Sequence, residues 1–186
     1  MALFDGAAGR KKEAQDMYKR GFMLTARGMF AQALFFLDRA LEADPAMVPA
    51  WHQKGCALGG LRHFGPAIRC LDAALALDCD FTPAWLFRGA LLSETKQYEE
   101  AIACFDRVTE PGPLFATRYP DYNVKEHCVS RYIEALCSKA VALAGLKRFE
   151  EAEAQVRRAA VQDPDDPRPT RAGKIIRDVK SQDQAG

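Results

Sequence analysis

Apolar residues along this chain recur at two periods, a short helical one and a long one of 34 residues. Phe30, Phe64 and Tyr98 stand 34 apart, and each is followed three positions later by Ala33, Ala67 or Ala101. Trp51 and Trp85 keep the same interval, as do Gly21, Gly55 and Gly89. Leu37, Leu71 and Phe105 follow, then Ala40, Ala74 and Val108. Phe149, Ala152, Val156 and Ala159 reproduce the second half of the unit once more. That copy lies 51 residues after Tyr98, one period plus 17, so a 17-residue insertion separates the third copy from the fourth.

Each copy predicts two helices. Trp51, Gly55 and Leu58 recur at helical spacing in one half of the second copy. Phe64, Ala67, Ile68, Leu71, Ala74 and Leu75 do so in the other. Breaks are expected at Arg27-Gly28, Gly59-Gly60 and Gly145-Leu146. Asp44-Pro45 and Asp163-Pro164 close the first and fourth copies, because proline disfavours helix in the residue before it. Thr82-Pro83 opens the third as an N-cap followed by a first-turn proline. Gly21, Gly55, Gly89 and Ala140 are small where the first helix must approach the second, with Ala33, Ala67, Ala101 and Ala152 opposite. The large aromatics then fill the gaps between neighbouring helix pairs. One pair cannot bury its own apolar face, so stacking builds the core.

The pattern resembles the tetratricopeptide repeat, W-x-x-L-G-x-x-Y followed by A-x-x-x-F, then A, then P. Trp51-x-x-Lys54-Gly55-x-x-Leu58 with Ala67-x-x-x-Leu71 carries it, as does Trp85-x-x-Arg88-Gly89-x-x-Leu92 with Ala101-x-x-x-Phe105. Met17 and Leu136 replace the tryptophan in repeats one and four, and Ala140 replaces the glycine. The resemblance implies an all-α fold, a right-handed superhelical solenoid of four helix-turn-helix repeats with a capping helix. The expected divisions are an N-terminal segment 1–13, repeats at 14–47, 48–81, 82–115 and 133–166, an insertion and helix extension at 116–132, and a cap and tail at 167–186.

In the cap, Ala172, Ile175, Ile176 and Val179 share one helical face over residues 168–180, and residues 181–186 are expected to fray. This segment reads either as a solvating cap or, through Arg168, Arg171, Lys174, Arg177 and Lys180, as a basic strip for an acidic partner. In the insertion, Pro111, Gly112, Pro113 and Pro120 oppose regular structure. Asn123 and Glu126 resemble a capping box that starts a long helix running to about Ala144. Phe115, Tyr119 and Tyr122 make the loop apolar enough to pack on the array.

Similar proteins bind peptides along a concave groove lined by the first helix of each repeat. Carried over by position, the resemblance implies a groove of Tyr18, Phe22 and Thr25, of His52, Cys56 and Gly59, of Leu86, Ala90 and Ser93, and of Glu134, Cys137 and Val141. Tyr18 and Phe22 stand where members that clamp acidic tails carry lysine and asparagine, so an apolar peptide or amphipathic helix is the implied ligand. The seventh position of every repeat is basic: Arg20, Lys54, Arg88 and Lys139. This ladder either binds an acidic chain or is neutralised by Asp38, Asp72 and Asp106, which recur on the second helices. Arg157 replaces the fourth aspartate, which leaves Lys139 the least accounted-for member.

Composition narrows the picture. Among 186 residues the net charge is +1, so no bulk field favours nucleic acid or a membrane surface. No apolar run approaches the roughly 20 residues of a membrane span. Met1 to Gly9 lacks the apolar stretch of a secretory signal, and six cysteines without a C-x-x-C pair read as reduced, buried thiols in a cytoplasm. No phosphate-cradling glycine motif is present. His52, His63 and His127 lack the i, i+4 histidine partner of a helical zinc site, and adjacent His127 and Cys128 point apart. His52 and Cys56 are four apart but have no third orienting group, so the thiol reads as a small hydrophobe. The sequence therefore implies a binding protein with no enzymatic activity, no cofactor and no metal. Its partner is either a foreign protein or peptide, or a second copy through dimerisation or end-to-end stacking.

Overall fold

The computed structural model describes residues 2–109 and 125–185. The side chains of Phe115, Tyr119, Tyr122, Asn123, Glu126, His127 and Cys128 lie outside the described residues. Among those described, all regular structure is helical: α1 (Ala2–Ala26), α2 (Phe30–Ala43), α3 (Val48–Gly60), α4 (Phe64–Leu77), α5 (Thr82–Glu94), α6 (Tyr98–Thr109), α7 (Lys125–Gly145), α8 (Phe149–Gln162) and α9 (Pro167–Ala185). The first-half and second-half helices alternate as the 34-residue period requires. α7 has 21 residues against 13 in α3 and α5, the additional turns lying at its start.

The chain divides into two compact units, Met1–Ala84 and Trp85–Gly186. In the first, α1 pairs with α2 and α3 with α4, while α2 packs on α3. Its core joins Ala33, Leu37 and Ala57 to Tyr18, Leu24, Phe30 and Leu34, and Ala40, Leu41 and Ala50 to Met17, Met47 and Trp51. In the second unit, α7 packs on α6 and α8, and α9 closes over α7 and α8. There Ile133, Leu136, Cys137, Ala159 and Ala172 form one cluster, and Ala140, Leu143, Ala144, Ala152 and Ile176 another.

Glycine size, not glycine flexibility, explains the small residues of the first helices. A Cβ on Gly21 would stand 2.6 Å from Leu37, one on Gly55 3.0 Å from Leu71, and one on Gly89 2.6 Å from the Phe105 ring. The opposing group is thus the side chain four residues past the expected alanine; Ala33 and Ala67 offer only their carbonyl oxygens, at 3.4 and 3.3 Å. Ala140 is accommodated because the position opposite it holds the smaller Val156. Seams between hairpins follow the same logic. A Cβ on Gly60 would meet Phe30 at 2.4 Å, and one on Gly145 would meet Tyr98 at 2.6 Å.

The turn positions differ from the sequence expectation. Gly60 and Gly145 end their helices but do not make the turns. The left-handed residues are Gly28 (φ 74°), Arg62 (φ 61°), Lys96 (φ 63°) and Lys147 (φ 61°), each two before the aromatic that opens the next helix. Only one of the four is glycine, so composition alone misplaces the other turns. The links between hairpins share an Asx turn. The carboxylates of Asp44, Asp78 and Asp163 each accept the amide two residues on, at 3.1 Å. Asp78 has no proline after it and was therefore not recognised. Trp51 fastens the first link by donating its indole N–H to the Pro45 carbonyl at 2.9 Å.

The C-terminal helix is longer than expected and does not fray at residue 181. It runs to Ala185, with Ser181 Oγ donating to the Arg177 carbonyl and Lys147 paired to Asp183. Its buried face consists of Pro169, Ala172 and Ile176. Ile175, expected beside them, is exposed.

Candidate functional site

Helices α5, α6, α7 and α9 line an open groove of about 320 Å³ within the second unit. α5 contributes Ala90 and Ser93, one turn apart, and α7 contributes Cys137, Ser138 and Val141. The fully buried Phe105 of α6 forms part of the floor. The remaining wall is α9, whose Arg168, Arg171, Ala172 and Ile175 recur at i, i+3, i+4 and i+7. The lining is mainly apolar. The Ser93 hydroxyl is buried and makes no hydrogen bond among the described residues. Burial pushes the Cys137 thiol up to about 11, against the opposing pull of Arg168, so it remains a neutral, apolar surface at physiological pH.

The two arginines have different tasks. Arg168 grips Asp166 through Nε at 2.9 Å and Nη2 at 2.5 Å, and donates to the carbonyl and hydroxyl of Ser130 at 2.8 and 3.1 Å. It therefore fastens α9 to α7, and its hydrogen bonds hold the Asp166 carboxyl down at about 2. Arg171 is exposed at the rim, where its charge helps to hold the Asp166 carboxyl down.

Of the residues the resemblance assigns to a groove, Ala90, Ser93, Cys137 and Val141 meet here. Leu86 is buried and does not line the groove. Glu134 is exposed on α7 and does not line the groove either. The others belong to the first unit and are turned largely to internal contacts. Tyr18 packs into both clusters, with its ring 6.2 Å from that of Phe22, which is exposed. Thr25 donates its hydroxyl to its own helix, at the Gly21 carbonyl, 3.0 Å away. His52 is buried edge-on to Phe81, ring centroids 5.4 Å apart, and its Nε2 lies 3.6 Å from Cys56 Sγ. Desolvation pushes the Cys56 thiol up to about 12, the opposite of what a nucleophilic thiolate needs.

The four basic seventh positions are engaged within the chain. Lys54 Nζ lies 2.7 Å from Asp38 and 5.5 Å from the Trp51 ring centroid. Lys139 pairs with Asp106, and Arg88 donates to Cys104 Sγ at 3.1 Å. Arg20 lies over its own Phe36 ring at 5.9 Å. The two carboxylate pairs run backwards, to the second helix of the preceding hairpin. Lys139 therefore has its aspartate even though Arg157 occupies the aligned place on α8.

What sequence reasoning missed is the contribution of α9. Arg168 and Arg171 were recognised only as members of a basic strip, and Ile175 as cap interior. The available signal was their i, i+3, i+7 spacing on a helix adjoining the last repeat. Among the described residues no cluster of three or more His, Cys, Asp or Glu side chains could hold a metal ion, and no helix is long and apolar enough to cross a membrane.

Residues 52–114 match the family model of the tetratricopeptide repeat. No curated protein matched the sequence. Solved structures share the fold along most of the chain. PilF of Pseudomonas aeruginosa aligns with a TM-score of 0.73 at 19% identity, over 95% of this chain and 72% of that one. YrrB, described as a tetratricopeptide protein with an unusual peptide-binding site, aligns at 0.66 and 18%, over 97% and 84%. MamA of Desulfovibrio magneticus RS-1, from residue 41 on, aligns at 0.67 and 18%, over 93% and 96%.

Proposed function

We propose that this chain, whose residues 52–114 match the tetratricopeptide-repeat family model, is a non-enzymatic interaction scaffold whose α5–α7–α9 groove receives an apolar segment of a partner protein. The carrying observation is the groove itself: an open, mainly apolar lining from α5, α6, α7 and α9, with a buried hydroxyl that has no partner among the described residues and an exposed arginine at the rim. Such a surface fits an extended peptide or the apolar face of a helix, with Ser93 and Arg171 setting its orientation. Arg168 preorganises the third wall, so little ordering of α9 is needed on binding. YrrB provides a precedent on the same fold for peptide binding.

The test is selection of short peptides from a random displayed library against the full chain, followed by titration. Selected peptides should carry apolar anchors and compete with one another for one site per chain. A library that yields no peptide above the display control, or a chain that dimerises and loses its peptide sites on doing so, would turn the reading towards self-association.

A further inference from the structure

Resting on the proposal that the α5–α7–α9 groove is the binding surface, we infer that its occupant is an extended, acidic segment of a partner protein and not a helix. Ser93 bonds the backbone of that segment, and Arg171 pairs with its acidic side chain. Other hydroxyls on the helices are engaged within the chain. Thr25 and Thr95 donate to the carbonyls four residues back, at 3.0 and 3.1 Å, and Ser181 does so at 2.9 Å. Ser130 accepts from Arg168. The Ser93 hydroxyl is shielded from solvent and makes no such bond among the described residues. A buried hydroxyl without a partner destabilises the chain that carries it. Because Ser93 lines the groove, a ligand able to bond its hydroxyl relieves that penalty on binding.

The hydroxyl selects the form of the ligand. In a helix the backbone amides and carbonyls are already bonded along the axis, so the face laid into a groove consists of side chains alone. An apolar helix face would cover Ser93 and leave its hydroxyl unmatched. An extended segment keeps a free carbonyl and amide at each residue, with successive side chains pointing to opposite sides. One carbonyl then accepts from Ser93 while a neighbouring side chain enters the apolar lining. Size points the same way. One helical turn, about 10 Å across and about 5.4 Å high, fills roughly 420 Å³, against the 320 Å³ of the groove. The α5 and α7 walls are moreover built of the small side chains Ala90, Ser93, Cys137, Ser138 and Val141, which lets a backbone come close.

The wall supplied by α9 selects the charge. The charged side chains that line the groove, Arg168 and Arg171, are both cationic. Two carboxylates stand near them. Arg168 binds both oxygens of Asp166 through Nε and Nη2, so that carboxylate belongs to the strut that fastens α9. Glu134 is exposed on α7 outside the lining, and its charge acts on Arg168 and Cys137. Arg171 therefore stands as a cation at the rim of an apolar groove, and a carboxylate on the ligand complements it. Ser93 lies on α5 and Arg171 on α9, so the two contacts hold the segment from different walls and fix its direction.

The probes are short peptides selected from a random displayed library against the full chain, kept where Val141→Glu abolishes their binding. Circular dichroism of the complex should show no helix beyond that of the free chain. Ser93→Ala should melt level with wild type or roughly 2–4 °C higher, yet bind the peptides about threefold or more weakly. Exchange of one peptide amide link for an ester should weaken binding to wild type but not to Ser93→Ala. The peptides should carry an acid, lose roughly tenfold or more in affinity on Arg171→Glu, and regain it when that acid is changed to arginine. Helix gained on binding, or peptides indifferent to Ser93→Ala or to Arg171→Glu, would overturn the inference while the groove reading stood. So would a Ser93→Ala variant that melts lower, since the hydroxyl would then serve the fold itself. No peptides at all, or peptides that all ignore Val141→Glu, would sink the groove reading and this inference with it.

Discussion

The first helices of the two units present the same repeat positions, yet among the described residues those of the second line a groove while most of those of the first are turned to internal contacts. In the first unit Thr25 is bonded to its own helix, and His52 is buried against Phe81 beside Cys56. In the second, Ala90, Ser93, Cys137 and Val141 line a groove whose further wall is α9, packed on α7 through Ala172 and fastened to it by Arg168. Repeat position thus determines which residues face the inner side of a helix pair. A helix outside the repeat register determines whether they enclose a site. The lesson applies to any repeat array whose cap carries side chains of its own.

The comparison can be broken first at the close contacts. Gly89→Ala drives a Cβ to 2.6 Å from the fully buried Phe105 ring, whereas Gly55→Ala places one 3.0 Å from Leu71, a crowding that a shift of a few tenths of an ångström relieves. Chemical denaturation should show Gly89→Ala losing about 2–3 kcal/mol. Gly55→Ala should stay within about 1 kcal/mol of wild type, since the gain in helix propensity offsets the crowding. Equal losses would mean that the two units tolerate volume alike.

Next in size is the strut of the groove. Arg168→Ala should cost about 1–2 kcal/mol, a figure lowered for the partial exposure of the arginine. Proteolysis between α8 and α9 should speed up, and peptide binding should weaken with it. If α9 remained as protected as in wild type, the role given to this residue would be wrong.

A smaller effect is expected in alkali. The Cys56 and Cys137 thiols are raised to about 12 and about 11 by burial, above the roughly 8.5 of an unfolded thiol. The folded protein therefore holds more protons than the unfolded chain above pH of about 9, and stability falls as pH rises from there through the folded values. Cys56→Ala should flatten this decline in the first unit more than Cys137→Ala does in the second, as read by melting curves from neutral to alkaline pH. The smallest change is Lys96→Gly. Lys96 sits at φ 63° in the α5–α6 turn, and relieving it should stabilise by about 0.5 kcal/mol after the entropy of glycine is subtracted. A destabilisation would mean that the lysine side chain has a contact of its own.

The fold was readable because one period ties aromatic, alanine and glycine positions together, and tertiary packing obeys that same period. Phe30 over Gly60 and Tyr98 over Gly145 show why both members recur. Turns were less readable, since Arg62, Lys96 and Lys147 adopt a conformation that sequence leads one to seek at glycine. The basic ladder was visible, but its direction was not: aligning Lys139 with Arg157 in its own repeat concealed Asp106 in the one before. The groove was half readable. Its α5 and α7 walls follow from position within the repeat, while Arg171 and Ile175 lie on a helix that belongs to no repeat, where no register predicts orientation.

The most direct measurement is the affinity of one selected peptide for wild type, Val141→Glu, Ile175→Glu and Phe22→Glu. A roughly tenfold or greater loss on the first two variants, with Phe22→Glu unchanged, is the expected result, because only Val141 and Ile175 line the α5–α7–α9 groove. Affinity that survives Val141→Glu and Ile175→Glu but falls on Phe22→Glu would contradict the account and move the site to the first unit.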